Sequence, residues 1–123
     1  MAEVMIVTGG SRGIGAATAR LAARRGFDVC VNYRSDGAAA RAVVDEILGL
    51  GCRAIAVQGD MSKEVDIVQL FEAAARELGP PSVLVNNAGG VVGKRRRVEA
   101  LRWEDAAAVL ALNLTGLMIC CRE

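Results

Sequence analysis

The sequence predicts an α/β protein: a doubly wound parallel sheet with strand order 3-2-1-4 between two layers of helices. Three observations carry that expectation. Short β-rich runs alternate with longer helical patterns, as in βαβ units. The first run is apolar at every position, as expected of a strand covered on both faces. Glycine-rich punctuation closes each segment, and right-handed crossovers leave few other ways to wind four parallel strands.

The first strand is expected at 4–7, ending in Thr8-Gly9-Gly10. In the helix that follows, Ile14, Ala17, Thr18, Leu21 and Ala22 recur at helical spacing and are expected to face the core as far as Gly26. A second strand is expected at 29–33. A second helix follows, burying Val43, Val44, Ile47 and Leu48 and ending at Gly49 and Gly51, with Asp36 placed to cap its start. The third strand falls at 54–57. Ser62 is the expected cap of a third helix with Glu64 and Asp66 in its first turn, where acids favour the dipole's positive end, and with the stripe Ile67, Leu70, Phe71, Ala74 and Leu78. Gly79-Pro80-Pro81 breaks the chain before a fourth strand at 83–85. From Trp103, read as a packing anchor, the pattern is helical and is interrupted by Asn113, Thr115 and Gly116. That last helix runs to Glu123 without a capping glycine, and the fourth strand is left with one unpaired edge, so a fifth strand is expected to belong to the same sheet.

Composition narrows the chemistry. The 123 residues, 53% hydrophobic and 24% charged, suit one soluble domain, 1–123. Histidine is absent, which removes histidine general bases, histidine-paired nucleophiles and histidine-containing zinc sites; no metal site is expected. The four cysteines lack C-x-x-C spacing and read as reduced thiols. With a net charge of +1 there is no long-range field to gather nucleic acid or a membrane. The N-terminal apolar run is too short for a signal peptide, so the expected location is cytoplasmic. Lys94-Arg95-Arg96-Arg97 reads as a solvated loop near the site mouth that could meet an anionic substrate, rather than a nucleic-acid patch.

Thr8-Gly9-Gly10-Ser11-Arg12-Gly13-Ile14-Gly15 lies between a strand and a helix, where glycines permit the close backbone approach that a pyrophosphate requires at a helix N-terminus. The spacing from Gly9 is G-x-x-x-G-x-G, neither the common dinucleotide fingerprint nor a Walker loop. Three further motifs stand in order behind it: Asp60 after the third strand, Asn86-Asn87-Ala88-Gly89 after the fourth, and Asn113-Leu114-Thr115-Gly116 in the last helix. Together they resemble the short-chain dehydrogenases/reductases, with 3-oxoacyl-carrier-protein-reductase-like and sugar-dehydrogenase-like members nearest, and the likeness covers the N-terminal half of that family's Rossmann-type domain.

The resemblance implies a pyrophosphate over Gly9, Ser11, Arg12, Gly13 and Ile14, with Gly15 allowing close helix packing. It implies Asp60 as acceptor for the adenine amino group with Met61 beside it, Asn87, Ala88 and Gly89 along the riboses, and Asn113 as the catalytic asparagine that holds a relay water. Taken without the resemblance, Asp60 could cap the next turn and Asn86 or Asn87 could close a strand. The second strand ends Asn32-Tyr33-Arg34-Ser35, with no carboxylate for a ribose 2′-hydroxyl, whereas Arg34 and Arg12 offer guanidinium groups suited to a 2′-phosphate. NADP(H) is therefore expected over NAD(H). The family's Tyr-x-x-x-Lys pair is not found: Tyr33 is the sole tyrosine and Gly37 stands where lysine would be needed. Two functions follow. One is the cofactor-binding half of a truncated NADP(H)-dependent oxidoreductase acting on a small carbonyl or alcohol and working as a homo-oligomer, the 123 residues alone being inactive. The other is a non-catalytic nucleotide-binding or protein-interaction module.

Overall fold

A computed structural model of the chain describes residues 2–123. Four strands, β1 (Val4–Val7), β2 (Asp28–Tyr33), β3 (Ala54–Gln58) and β4 (Val83–Val85), form one all-parallel sheet in the order β3-β2-β1-β4. Between and after them run α1 (Gly13–Arg24), α2 (Gly37–Gly49), α3 (Glu64–Glu77), α4 (Trp103–Leu110) and α5 (Gly116–Arg122). The expected architecture and strand order are both present. β2 and β3 are each one residue longer than the sequence suggested, a difference of the size at which strand ends are defined.

Alternation along the central strands separates two cores. Val7, Val29 and Val31 meet α1 and α2 on one face, while Val4, Ile6 and Cys30 meet α3 and Cys120 of α5 on the other. Both faces are covered, which is why β1 is apolar at every position.

The buried face of α1 differs from the expected stripe. Ile14 is 79% and Leu21 49% exposed, and the helix turns Gly15, Ala16, Ala19, Ala22 and Ala23 to the core instead. The period is right and the phase is one residue off. Small side chains let this helix lie close against the sheet, and packing closeness decided the phase over side-chain hydrophobicity. Leu48 is likewise 48% exposed, at the end of a helix that buries Val43, Val44 and Ile47 as expected. Asp36 caps α2 as expected, its Oδ1 accepting from the Ala39 N–H at 3.0 Å. Ser62 does not cap α3, whose start at Lys63 has no side-chain cap, because its hydroxyl is engaged by Asp60.

From Trp103 to Arg122 the helix is continuous, but a π turn at Ala111–Thr115 separates α4 from α5. Trp103 is no anchor: it is 86% exposed. At Gly116 the helix rests on the Met61 carbonyl so closely that a Cβ would collide with that backbone oxygen. Length and composition alone would let this 20-residue helix cross a membrane.

Candidate functional site

β1 lies between β2 and β4, so the chain winds away from β1 in both directions and a crevice opens beyond the carboxyl ends of β1 and β4, the place where open α/β sheets bind ligands. A cleft of about 370 Å³ occupies it. Gly9, Ser11, Arg12, Arg34, Asp60, Met61, Asn87, Ala88 and Gly89 all line it, so four separate segments expected to form a site converge on one space. Gly13, Ile14 and Gly15 are not among the lining residues and form the first turn of α1. Asn113 does not reach the cleft wall, though its neighbour Leu112 does.

The glycine loop is shaped from both sides. Gly9 and Gly13 have φ of 60° and 57°, a region in which a side chain is strained. Gly15 is glycine for a different reason, since a Cβ there would lie 2.5 Å from Asn87 Nδ2 and closer still to the Gly9 carbonyl. The backbone N–H groups of Ser11, Arg12, Gly13, Ile14 and Gly15 donate to no acceptor among the described residues, and no side chain caps α1. Five free donors at the positive end of a helix make a cradle for an anion.

Two residues outside the expected site hold that cradle in place. Asn32, 1% exposed, accepts from the Gly9 N–H at 3.0 Å and donates through Nδ2 to the carbonyls of Val57 (3.3 Å) and Gly59 (3.2 Å). Thr8, also 1% exposed, accepts from the N–H groups of Asn87 and Ala88, both at 3.0 Å. Asn87 in return donates through Nδ2 to the carbonyls of Thr8 (3.1 Å) and Gly9 (2.9 Å). The sequence signal was available: each is polar within or next to an otherwise buried strand, and such groups are retained where they are hydrogen-bonded.

Asp60 sits at the end of β3 with Oδ1 accepting from both the backbone and hydroxyl of Ser62, at 2.9 and 2.6 Å. Its Oδ2 lies 3.8 Å from Arg34 Nε. Partial burial works against its charge, but the Ser62 hydrogen bonds and the positive charges of Arg34 and Lys63 prevail and hold its pKa below the ordinary carboxylate value. Arg34 is largely exposed and lines the cleft together with Asp36, whose Oδ1 caps α2.

Asn113, within the π turn, accepts at Oδ1 from the Gly90 N–H (2.9 Å) and donates to the carbonyls of Gly90 (2.8 Å) and Val109 (2.9 Å). It ties the loop after β4 to the last helix, and a Cβ on Gly89 would stand 2.7 Å from its Oδ1. A π turn inside a helix is a frequent mark of a functional position. The basic segment is an exposed loop, as expected, but it is partly neutralised: Arg96 pairs with Asp105 at 3.3 Å and Arg97 with Glu99 at 3.7 Å.

The whole arrangement agrees with a match between residues 3–123 and the family profile of short chain dehydrogenase. The chain belongs to the short-chain dehydrogenase family. An uncharacterized oxidoreductase of Escherichia coli strain K12 is 43% identical over 120 residues, which is 98% of this chain and 48% of that protein. A 3-oxoacyl-[acyl-carrier-protein] reductase of Synechocystis is 43% identical over 119 residues, 97% of this chain and 47% of the relative. Among solved structures, a short chain dehydrogenase from Burkholderia cenocepacia in complex with NADP superposes with a TM-score of 0.92 at 37% identity, over 98% of this chain and 48% of that one. A blue fluorescent protein from a metagenomic library, in complex with NADPH, superposes at 0.91 with 35% identity, over 98% and 49%. The chain thus spans about half the length of the relatives it matches. Its fold and the order of its motifs are those of the N-terminal half of that family's domain.

Proposed function

We propose that residues 1–123 form one cofactor-binding domain, the NADP(H)-binding half of a cytoplasmic short-chain oxidoreductase that, in its whole form, interconverts a small carbonyl compound and its alcohol. The observation that carries this reading is the set of five N–H groups from Ser11 to Gly15 that have no acceptor among the described residues, at the start of α1 next to a cleft of about 370 Å³. Bound there, NADPH would supply a hydride to a carbonyl carbon.

The chain's own residues have separable tasks. Gly9, Ser11, Arg12, Gly13 and Ile14 hold the pyrophosphate, and Gly15 allows α1 to lie close to Asn87. Asp60 accepts from the adenine amino group with Met61 beside it, and Asn87, Ala88 and Gly89 line the riboses. Asn113, fixed by three hydrogen bonds, orients a relay water. The 2′-phosphate falls to Arg34 and Arg12, both on the cleft wall; Asp36 of the same loop also lines the cleft, with Oδ1 engaged as the cap of α2. Exposed Trp103, Leu110, Leu114 and Met118 on the last helix support self-association.

Calorimetric titration of the purified protein with NADPH and NADH tests the reading. Charge-assisted contacts to a 2′-phosphate contribute on the order of 1.5–3 kcal/mol, so NADPH should bind roughly ten- to a hundredfold more tightly. Equal affinity would overturn the NADP assignment, and no binding of either would overturn the site.

A further inference from the structure

The relation between Arg34 and Asp60 reaches beyond the separate tasks given to them. Asp60 Oδ1 is saturated by two hydrogen bonds from Ser62, so the carboxylate is fixed in rotation and presents Oδ2 alone toward Arg34. Arg34 approaches through Nε, at 3.8 Å, and its two terminal amino groups make no hydrogen bond or other ion pair among the described residues. Its backbone is held as well, the Arg34 carbonyl accepting from Gln58 Nε2 at 3.1 Å. An exposed arginine otherwise samples many rotamers and loses that freedom when it binds. A carboxylate behind Nε limits the sampling without occupying the fork that grips a phosphate.

We propose that Asp60 is a positioning residue for 2′-phosphate recognition, acting through Arg34. This rests on the NADP(H) reading of the cleft. The coupling makes Asp60 a specificity determinant in addition to an adenine contact, with Ser62 as the group that aims it.

The distinction from adenine binding lies in a ratio. Two probes share the adenosine and differ in the 2′-phosphate: adenosine 2′,5′-bisphosphate and adenosine 5′-monophosphate. Any loss common to the adenine cancels between them. In the 123-residue protein the ratio of their dissociation constants should favour the bisphosphate, and Asp60→Asn should reduce that preference about threefold, the size expected of an exposed pair. Ser62→Ala, which keeps the carboxylate charge and loosens its aim, should reduce it by a smaller factor. In an Arg34→Ala background, where the preference is already small, Asp60→Asn should leave the ratio unchanged. An unaltered or increased preference in Asp60→Asn, or the same reduction with and without Arg34, would overturn the proposal. Absence of any preference in the wild-type protein would instead defeat the NADP(H) reading on which it stands. Should Asp60→Asn fail to fold, Ser62→Ala decides alone: a ratio equal to wild type overturns the coupling.

Discussion

Replacing Asn32 by alanine should destabilise the protein by about 2–3 kcal/mol, although the residue touches no other side chain through a hydrogen bond. Its amide joins three backbone segments: it satisfies the Gly9 N–H and supplies donors to the Val57 and Gly59 carbonyls at a site only 1% exposed. Each intramolecular hydrogen bond contributes a net ~0.5–1.5 kcal/mol, and a buried donor left alone costs about 1–3 kcal/mol. The Gly9 N–H bears the larger loss, since a carbonyl retains a second lone pair for another partner. Entry of a water into the vacated space offsets part of the sum, which gives the range stated. Urea unfolding followed by far-ultraviolet circular dichroism measures it, with Asp36→Ala as the comparison. That variant removes an exposed cap and should cost only about 1 kcal/mol. An Asn32→Ala protein within ~0.5 kcal/mol of wild type, or less affected than Asp36→Ala, would refute the bracket.

Other substitutions and conditions separate the remaining arguments. Gly116→Ala should destabilise by at least ~1 kcal/mol against helix propensity, because the new methyl meets the Met61 carbonyl, whereas Gly49→Ala, with open space around it, should be neutral or stabilising; thermal melts of the two should shift in opposite directions or by clearly different amounts. Asp60 has a folded-state pKa below its ordinary 3.8, so its contribution to stability is present above that value and disappears as pH falls below it toward the lowered pKa. Asp60→Asn should therefore flatten the acid limb of a stability-against-pH profile below about pH 4, and an unchanged limb would contradict the pKa assignment. The 123-residue protein mixed with NADPH and a panel of ketones, aldehydes and 3-oxoacyl thioesters should not oxidise the cofactor, since Tyr33 is its sole tyrosine and no lysine stands four residues on. Turnover that Asn113→Ala abolishes would contradict this expectation.

Motif order and strand patterning were legible in the residues, and the reason is physical. A strand buried on both faces must be apolar throughout, and a glycine loop that admits an anion must follow it directly, so Val4 to Gly15 announces both sheet and cradle. Phase within an alanine-rich helix was not legible. Ala16, Ala19 and Ala23 present the same weak signal as Ala17, and Ile14 and Leu21 outweighed them, although nearness to the sheet favours the smaller face. Nor could periodicity show that Trp103 would lie exposed or that Ser62 would turn from its helix to Asp60, because each depends on partners distant in space or on a competing acceptor. Thr8 and Asn32 were visible as polar residues in apolar surroundings, but their partners at Asn87, Val57 and Gly59 appear only once the sheet brings those segments together.

Backbone amide shifts during a titration with NADPH test the central claim most directly, because they report each residue of the cleft at once. Perturbations should concentrate at Ser11 to Gly15, where the N–H groups have no internal partner, and at Arg34, Asp60 and Asn87 to Gly89, while α2 and the outer turns of α3 stay unchanged. Shifts confined to the Lys94 to Arg97 loop or to the exposed face of the last helix, with the glycine loop unmoved, would contradict the account.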